Sequence, residues 1–148
     1  MRVSIIGTGY VGLVSAVCLA EKGHDIVCVD IDQTKVDQIN AGDPPIHEIG
    51  LGALLQQNIG KTIRATTDLD QAVLETDISL IAVGTPFDGD EIDLTYIRQV
   101  AHQIGTALKD KASYHVVVVK STVVPGTTDD VVTPIVEDAS GKKLGLDF

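Results

Sequence analysis

The sequence "IIGTGYVGLVSAVCLAEKGHDIVCVDID", residues 5–32, joins a glycine-rich turn to two apolar runs. Its glycines Gly7, Gly9 and Gly12 have the spacing G-x-G-x-x-G. That spacing alone is a weak signal, because 14 of the 148 residues are glycine. The surrounding pattern strengthens it, since the motif follows a predicted strand, opens a predicted helix and lies in a βαβ unit of roughly 30 residues. The stretch therefore predicts a loop that binds the phosphates of a dinucleotide.

Each glycine has a predicted task in such a loop. Gly7 allows the tight turn, Gly9 lets the backbone approach a pyrophosphate, and Gly12 lets the helix pack closely on the strand. The N–H groups and the dipole at the helix N-terminus hold phosphates without a basic side chain.

An acidic residue, Asp30, ends the second predicted strand at the distance from the glycines that this fingerprint requires. There a carboxylate accepts hydrogen bonds from the adenosine ribose and repels a 2′-phosphate, so the predicted cofactor is NAD rather than NADP. The structural alternative is that Asp30 and Asp32 only begin the next helix, as aspartate often does.

The rest of the chain alternates between β-rich runs and helical patterns. Strands buried on both faces are predicted over residues 2–7, 25–30, 78–84 and 115–121, with a weaker strand over 62–67 and a sixth beginning at "GLDF", 145–148. Helices are predicted over residues 11–22, 33–41, 50–57, 69–75, 94–110 and 127–138. The acidic stretch "DGDEID", residues 88–93, is expected to be a solvated loop.

Strands that alternate with crossover helices predict an α/β fold with a doubly wound parallel sheet covered on both faces. We expect a three-layer Rossmann fold in one domain, residues 1–148, with strand order 3-2-1-4-5-6. In that order a ligand crevice opens beyond the carboxyl ends of strands 1 and 4. The segments that end at Gly7, Gly84 and Ser121 are predicted to border it.

Charge and composition disfavour several classes of partner. The formal net charge of −10 would repel nucleic acid and anionic membranes, which are themselves polyanions. The first apolar run is broken by glycine and lacks a basic region and a cleavage site, so neither a signal peptide nor a spanning helix is expected. The predicted localisation is cytoplasmic.

The cysteines and histidines give no sign of a metal site. Cys18 and Cys28 lie in apolar segments without a C-x-x-C spacing, so we expect two buried, free thiols in a reducing compartment. The four histidines share no metal-binding spacing and are expected at the surface or at strand edges.

Four motifs, in this order, resemble the amino-terminal domain of the nucleotide-sugar 6-dehydrogenases: "GTGYVGLVSAVCLAEKGHDIVCVDID", "PPIHEIGLGALL", "AVGTP" and "KSTVVPGTTD". The family includes UDP-glucose and GDP-mannose 6-dehydrogenases, and the resemblance covers essentially the whole chain. It implies an NAD-dependent enzyme that oxidises a sugar C6 alcohol to a carboxylate in two hydride transfers, through a thiohemiacetal on the enzyme. The tail "IVEDASGKKLGLDF" is more similar to the GDP-mannose branch.

The resemblance also implies site residues. It places Tyr10 and Val11 in the glycine loop, Lys35 at the adenosine ribose, and Thr85 and Thr122 in the cofactor crevice. Thr122 resembles a catalytic assistant of the family that helps to position a water. Structural alternatives stand beside these roles, because the two threonines could satisfy backbone groups at strand ends and the lysine could be solvated.

The family pattern continues into a substrate loop, a dimer-forming helix and a second domain with a catalytic cysteine, none of which occurs in residues 1–148. The resemblance thus implies one part of a longer enzyme, a homodimer or larger assembly that acts on GDP-mannose or UDP-glucose. The isolated chain is expected to bind NAD without turnover. Two alternatives remain open: an NAD-binding module without catalysis, and another Rossmann enzyme such as a methyltransferase that binds S-adenosylmethionine.

Overall fold

A computed structural model describes residues 1–87, 89 and 91–148. Five parallel strands form one sheet in the order β3-β2-β1-β4-β5. The strands are β1 (Arg2–Ile6), β2 (Asp25–Val29), β3 (Ile63–Thr66), β4 (Ile78–Ile81) and β5 (Val116–Val119). The predicted doubly wound parallel sheet is confirmed, including the weaker strand and the order of the first five.

Six α-helices connect or follow the strands. They are α1 (Tyr10–Glu21), α2 (Gln33–Asn40), α3 (Leu51–Asn58), α4 (Leu69–Glu75), α5 (Thr95–Lys109) and α6 (Thr133–Ser140). The first five match the predicted ranges to within one residue at each end. The predicted helix over 127–138 differs, because a π-helical turn (Thr128–Val132) precedes α6.

The predicted sixth strand is wrong for residues 145–148. Residues 144–147 form a turn, in which the Gly145 N–H donates to the Phe148 carbonyl at 2.8 Å. The Lys143 N–H donates to the Asp147 carboxylate at 3.0 Å and tightens the same turn. Phe148 is buried in the apolar layer instead of extending along the edge of β5.

Two apolar layers cover the sheet, one on each face, because successive residues of a strand point to opposite sides. On β1, Ile5 packs into the layer that contains Leu13 of α1, whereas Ile6 packs into the layer that contains Ile97 of α5. Strand β5 departs from the prediction of burial on both faces. It is an edge strand whose Val116 and Val118 are 40% and 37% exposed.

The loop between β4 and α5 lies partly outside the described residues. Asp88 and Asp90 of the acidic stretch are among those not described, so the expectation of a solvated loop is untested there. Beside them, Phe87 and Ile92 pair through an isolated antiparallel bridge.

A buried polar network crosses the layer under α4 and α5. The Ser4 and Ser79 hydroxyls lie 2.7 Å apart, and Ser79 Oγ lies 2.8 Å from His115 Nε2. The other ring nitrogen, Nδ1, lies 3.2 Å from the Thr76 carbonyl, which can only accept a hydrogen bond. Nδ1 therefore carries the proton and Nε2 accepts from Ser79. Because His115 is fully buried, the predicted surface or edge position is wrong for this histidine.

Burial holds His115 neutral. It lowers the pKa of the imidazole to about 4, and the positive charge of the nearby Lys111 acts in the same direction. The Lys111 ammonium is itself held by backbone carbonyls at the end of α4, with Nζ 2.6 Å from the Val73 oxygen. The Asp77 carboxylate and Lys142 also act on the ring, with smaller effects.

This network predicts a loss of stability in mild acid. Between the unfolded pKa near 6.5 and the folded pKa of about 4, the unfolded chain binds a proton that folded His115 excludes. Stability contributed by the neutral ring is complete above pH ~6.5 and falls as the pH decreases, by about 2 kcal/mol at pH ~4.5. Urea unfolding at neutral and acidic pH measures this loss, and His115→Gln should reduce it. The same pH dependence in both proteins would contradict the assignment.

Candidate functional site

A cleft of about 950 Å³ opens beyond the carboxyl ends of β1, β2 and β4. One wall comes from the glycine loop and the end of β2, and the other comes from the loop after β4 and the first half of α5. Of the predicted site residues, Gly7, Gly9, Asp30 and Lys35 line the cleft. Its position is the predicted crevice, with Gly84 but not Ser121 in the lining.

The glycine loop needs glycine at two positions for packing. Gly7 has φ +100°, and a Cβ there would lie 2.7 Å from the carbonyl oxygen of Ala82, the residue that follows β4. A Cβ at Gly12 would lie 1.8 Å from the Gly7 carbonyl oxygen, where no atom fits. These contacts press the first turn of α1 against the end of β1.

Gly9 differs, because a Cβ there would meet no protein atom within 4 Å. Its backbone is extended, at φ −73° and ψ −167°, so the need for glycine does not come from the fold. Gly9 faces the cleft and precedes the N-terminus of α1, whose first turn contains no acidic side chain. The open space beside this positive helix end suits a bound pyrophosphate.

Asp30 lies at the carboxyl end of β2 and is bound by the glycine loop. Oδ2 accepts hydrogen bonds from the Thr8 N–H at 3.0 Å and the Thr8 hydroxyl at 2.5 Å. Oδ1 accepts the Asp32 N–H at 3.1 Å, and Lys35 Nζ lies 3.7 Å from Oδ2. Burial alone would raise the pKa of this carboxyl, but the hydrogen bonds and Lys35 outweigh it and the net pKa is lowered. Asp30 is therefore an anion at neutral pH.

The alternative role in helix initiation belongs to Asp32 rather than to Asp30. Asp32 is the N-cap of α2, and its carboxylate accepts the Thr34 N–H at 2.9 Å. Lys35 lies in the first turn of the same helix, and its side chain is 41% exposed. The cap thus fixes where the lysine ammonium stands relative to Asp30.

Tyr10 and Val11 begin α1 and are exposed without lining the cleft. The Tyr10 hydroxyl donates to the His47 carbonyl at 2.8 Å and ties the segment between α2 and α3 to the helix end. Tyr10 and Val11 thus follow Gly9, which lines the cleft, as the first two residues of α1.

Thr85 and Thr122 lie together beyond the ends of β4 and β5. The Thr85 hydroxyl donates to the Thr122 carbonyl at 2.7 Å and so satisfies a backbone group beyond a strand end. Ser121 makes the reciprocal contact, because its hydroxyl donates to the Val83 carbonyl at 2.7 Å. The two loops are joined side by side, next to the cleft wall formed by Val83 and Gly84.

Sequence reasoning missed two parts of the cleft. One is a face of α5 that includes Tyr96, Gln99 and Gln103, whose helical spacing could have been read from the sequence. The other is Thr8, whose contact with Asp30 joins residues 22 positions apart and leaves no local signal.

Burial is expected for both cysteines, and only one of them is buried. Cys28 is buried, and burial raises the pKa of its thiol to about 12. Cys18 is exposed on α1, so the prediction of burial is wrong for it. Neither sulfur faces the cleft.

Within the described residues, no group of three or more histidine, cysteine or carboxylate side chains is placed to hold a metal ion. None of the helices in that part of the chain has both the length and the apolar character needed to cross a membrane.

Comparisons with known proteins agree on one family. The family model described as the UDP-glucose/GDP-mannose dehydrogenase family, NAD binding domain, matches residues 1–148. A GDP-mannose 6-dehydrogenase of Pseudomonas savastanoi pv. phaseolicola is 55% identical, over 100% of this chain and 34% of the relative. A UDP-glucose 6-dehydrogenase of Haloferax volcanii is 49% identical, over 98% of this chain and 34% of the relative. The chain thus spans about a third of the length of these curated relatives.

A solved structure gives the same result. The ternary complex of a GDP-mannose dehydrogenase from Pseudomonas aeruginosa superposes with a TM-score of 0.97 at 51% identity. The match covers 100% of this chain and 34% of that one.

The different environments of the loop glycines predict opposite effects of adding a side chain. Gly9→Val should fold normally and lose NAD binding, because its side chain enters open space at the cleft wall. Gly12→Val should be destabilised by about 3 kcal/mol or fail to fold, because it overlaps the Gly7 carbonyl.

Thermal unfolding and NAD titration separate the two effects. Gly52→Val is the matched control. Gly52 lies on α3 outside the cleft lining, and a Cβ there makes only ordinary van der Waals contact with Pro44. Normal NAD affinity in folded Gly9→Val would show that the loop does not hold the pyrophosphate.

Proposed function

The chain belongs to the UDP-glucose/GDP-mannose dehydrogenase family as its NAD-binding domain, and from this premise we propose that it forms one domain of a nucleotide-sugar 6-dehydrogenase. The complete enzyme would oxidise the C6 alcohol of the sugar to a carboxylate in two NAD-dependent steps. A central dimerisation helix and a substrate domain would lie outside residues 1–148. The observation that carries the proposal is the cleft, where an open glycine position, a helix N-terminus and an ionised aspartate converge.

We place the proposed cofactor in this cleft in one direction. Its pyrophosphate would lie against Gly9 and the backbone N–H groups of Tyr10 and Val11, with Gly7 and Gly12 holding the loop in place. Its adenosine ribose would lie at Asp30 and Lys35, where a carboxylate acceptor and an ammonium donor stand side by side. The nicotinamide would then lie towards the joined loops of Thr85 and Thr122.

Bound NAD would supply the hydride acceptor for the oxidation. The contribution of this chain would be to hold and orient the cofactor and to position a water. Thr122 accepts the hydrogen bond from Thr85 through its backbone carbonyl, so this bond does not engage the Thr122 hydroxyl that would position the water.

The covalent step needs a group from outside these residues. A thiohemiacetal requires a reactive thiol at the substrate carbon, and the nucleophile is the thiolate. Cys28 is fully buried with a strongly raised pKa, and Cys18 lies on α1 outside the cleft lining. The proposal therefore assigns the catalytic cysteine to another part of the enzyme.

GDP-mannose is the substrate we favour for the complete enzyme, with UDP-glucose as the alternative. Relatives with the name GDP-mannose 6-dehydrogenase reach 55% identity, whereas the UDP-glucose 6-dehydrogenases of Haloferax volcanii and Bacillus subtilis are 49% and 43% identical. A homodimeric or larger full-length form and a cytoplasmic location remain predictions from the sequence. The alternative function is an NAD-binding module without catalysis. Measurements of dehydrogenase activity on the full-length protein would distinguish the two, because such a module would bind NAD and show no activity.

Asp30 predicts selectivity for NAD over NADP, because its charge would repel a 2′-phosphate. Asp30→Ala should weaken NAD by roughly 1.5–3 kcal/mol, about ten- to a hundredfold, the usual effect of losing hydrogen bonds to a charged group. Calorimetric titration of both cofactors measures this. The control is Asp37→Ala, which removes an exposed charge from α2 outside the cleft lining. Equal wild-type affinities for NAD and NADP would contradict the role of Asp30.

The isolated chain should bind NAD without reducing it in the presence of GDP-mannose or UDP-glucose. In the full-length enzyme, Thr122→Ala should lower turnover more than it weakens NAD binding. The absorbance of reduced nicotinamide measures turnover with each sugar nucleotide. Sustained formation of NADH by the 148-residue chain would show that the active site is complete within it and that the proposed division between domains is incorrect.

A further inference from the structure

Thr8, between the first two glycines of the loop, donates two hydrogen bonds to a single oxygen of Asp30. It is buried, with 1% of its surface exposed, and both of its donors point at Asp30 Oδ2. The N–H lies 3.0 Å from that oxygen and the hydroxyl oxygen lies 2.5 Å from it. Two hydrogen bonds from one residue fix the rotation of the carboxylate as well as its position.

The remaining capacity of Asp30 to accept hydrogen bonds is small. A carboxylate has about four lone-pair positions. Thr8 fills two on Oδ2, and the Asp32 N–H fills one on Oδ1 at 3.1 Å. About one position, on Oδ1, remains for a ligand, although an adenosine ribose presents two hydroxyls.

A donor stands next to this limited acceptor. Lys35 Nζ lies 3.7 Å from Oδ2, beyond hydrogen-bond distance, and carries three donors and no acceptor. Of the other ionisable side chains of the cleft, Asp32 caps α2, and Arg98 and His102 line the cleft from α5. Lys35 is the cation that the structure places against Asp30.

We propose that Thr8 is a positioning residue that restricts Asp30 to one ribose hydroxyl, so that Oδ1 accepts from one hydroxyl and Lys35 Nζ donates to the other. This inference rests on the proposed function, because it requires the adenosine ribose in this cleft. Thr8 directs both of its donors to the carboxylate and would act on the cofactor through it. One ribose hydroxyl would thereby bind a carboxylate and the other an ammonium group.

Two NAD analogues that lack either the 2′- or the 3′-hydroxyl of the adenosine ribose test this division by calorimetric titration. Asp30→Asn and Lys35→Met should each weaken NAD about tenfold. The loss of affinity caused by Asp30→Asn should disappear with the analogue that lacks the hydroxyl bound by Asp30 and persist with the other analogue. The loss caused by Lys35→Met should show the opposite pattern. If Asp30→Asn couples equally to both hydroxyls, the division is overturned.

The positioning role of Thr8 is tested by Thr8→Val, which removes the hydroxyl and keeps the backbone N–H. Its NAD affinity should fall about tenfold, and Asp30→Asn in that background should couple to both hydroxyls. Thr8→Ser restores the hydroxyl and should bind as wild type does. Thr76→Val, which removes another buried, hydrogen-bonded hydroxyl away from the cleft, should lower the melting temperature without this change in coupling.

The outcomes separate this inference from the proposal beneath it. Wild type that binds neither NAD nor the analogues would overturn the proposed function and the inference together. Wild type that binds NAD, with Thr8→Val indistinguishable from it for NAD and both analogues, would overturn the inference alone.

Discussion

The contact between Gly12 and the Gly7 carbonyl is the constraint on which the cleft depends. With no room for a Cβ between them, α1 begins directly against the end of β1. Gly7 in turn lies against Ala82, so the same turn is seated on β4. A larger residue at either position would displace the helix end from the two strands between which the cleft opens. The position of Gly9, and so the space offered to a phosphate, follows from this packing.

This arrangement explains how an acidic chain binds an anionic cofactor. The net charge of −10 is unfavourable to polyanions at long range, but a helix end acts at short range. No acidic side chain lies in the first turn of α1, so nothing there opposes the N–H groups. Asp30 and Asp32 both line the cleft, and the loop itself stabilises Asp30 through Thr8. The helix end that attracts phosphate and the carboxylate that we propose to exclude a 2′-phosphate are thus held by the same loop.

Sequence patterns predicted the layers and strand order well, because apolar runs separated by helical periods permit few topologies. They failed where the side-chain environment depends on distant residues. In α1, "YVGLVSAVCLAE" is apolar on nearly every side, so its periodicity does not show that Cys18 faces outwards. The Ser79 hydroxyl and the Thr76 carbonyl that contact His115 come from β4 and the end of α4, far from it in sequence. The turn at Gly145 forms through contacts with Lys143 and Phe148 that a β-rich composition does not reveal.

The position of β1 at the centre of the sheet also affects the order of folding. Its first partner, β2, follows closely in the chain, but its second partner, β4, is far away: Ser4 and Ser79 pair across 75 positions. During synthesis, β1, α1 and β2 leave the ribosome long before the strand that completes their pairing. Closing such a long loop is entropically costly, and topologies with many distant contacts fold slowly. Until β4 arrives, Ser4 lacks its hydroxyl partner and one edge of the future central strand stays exposed to solvent and to other chains.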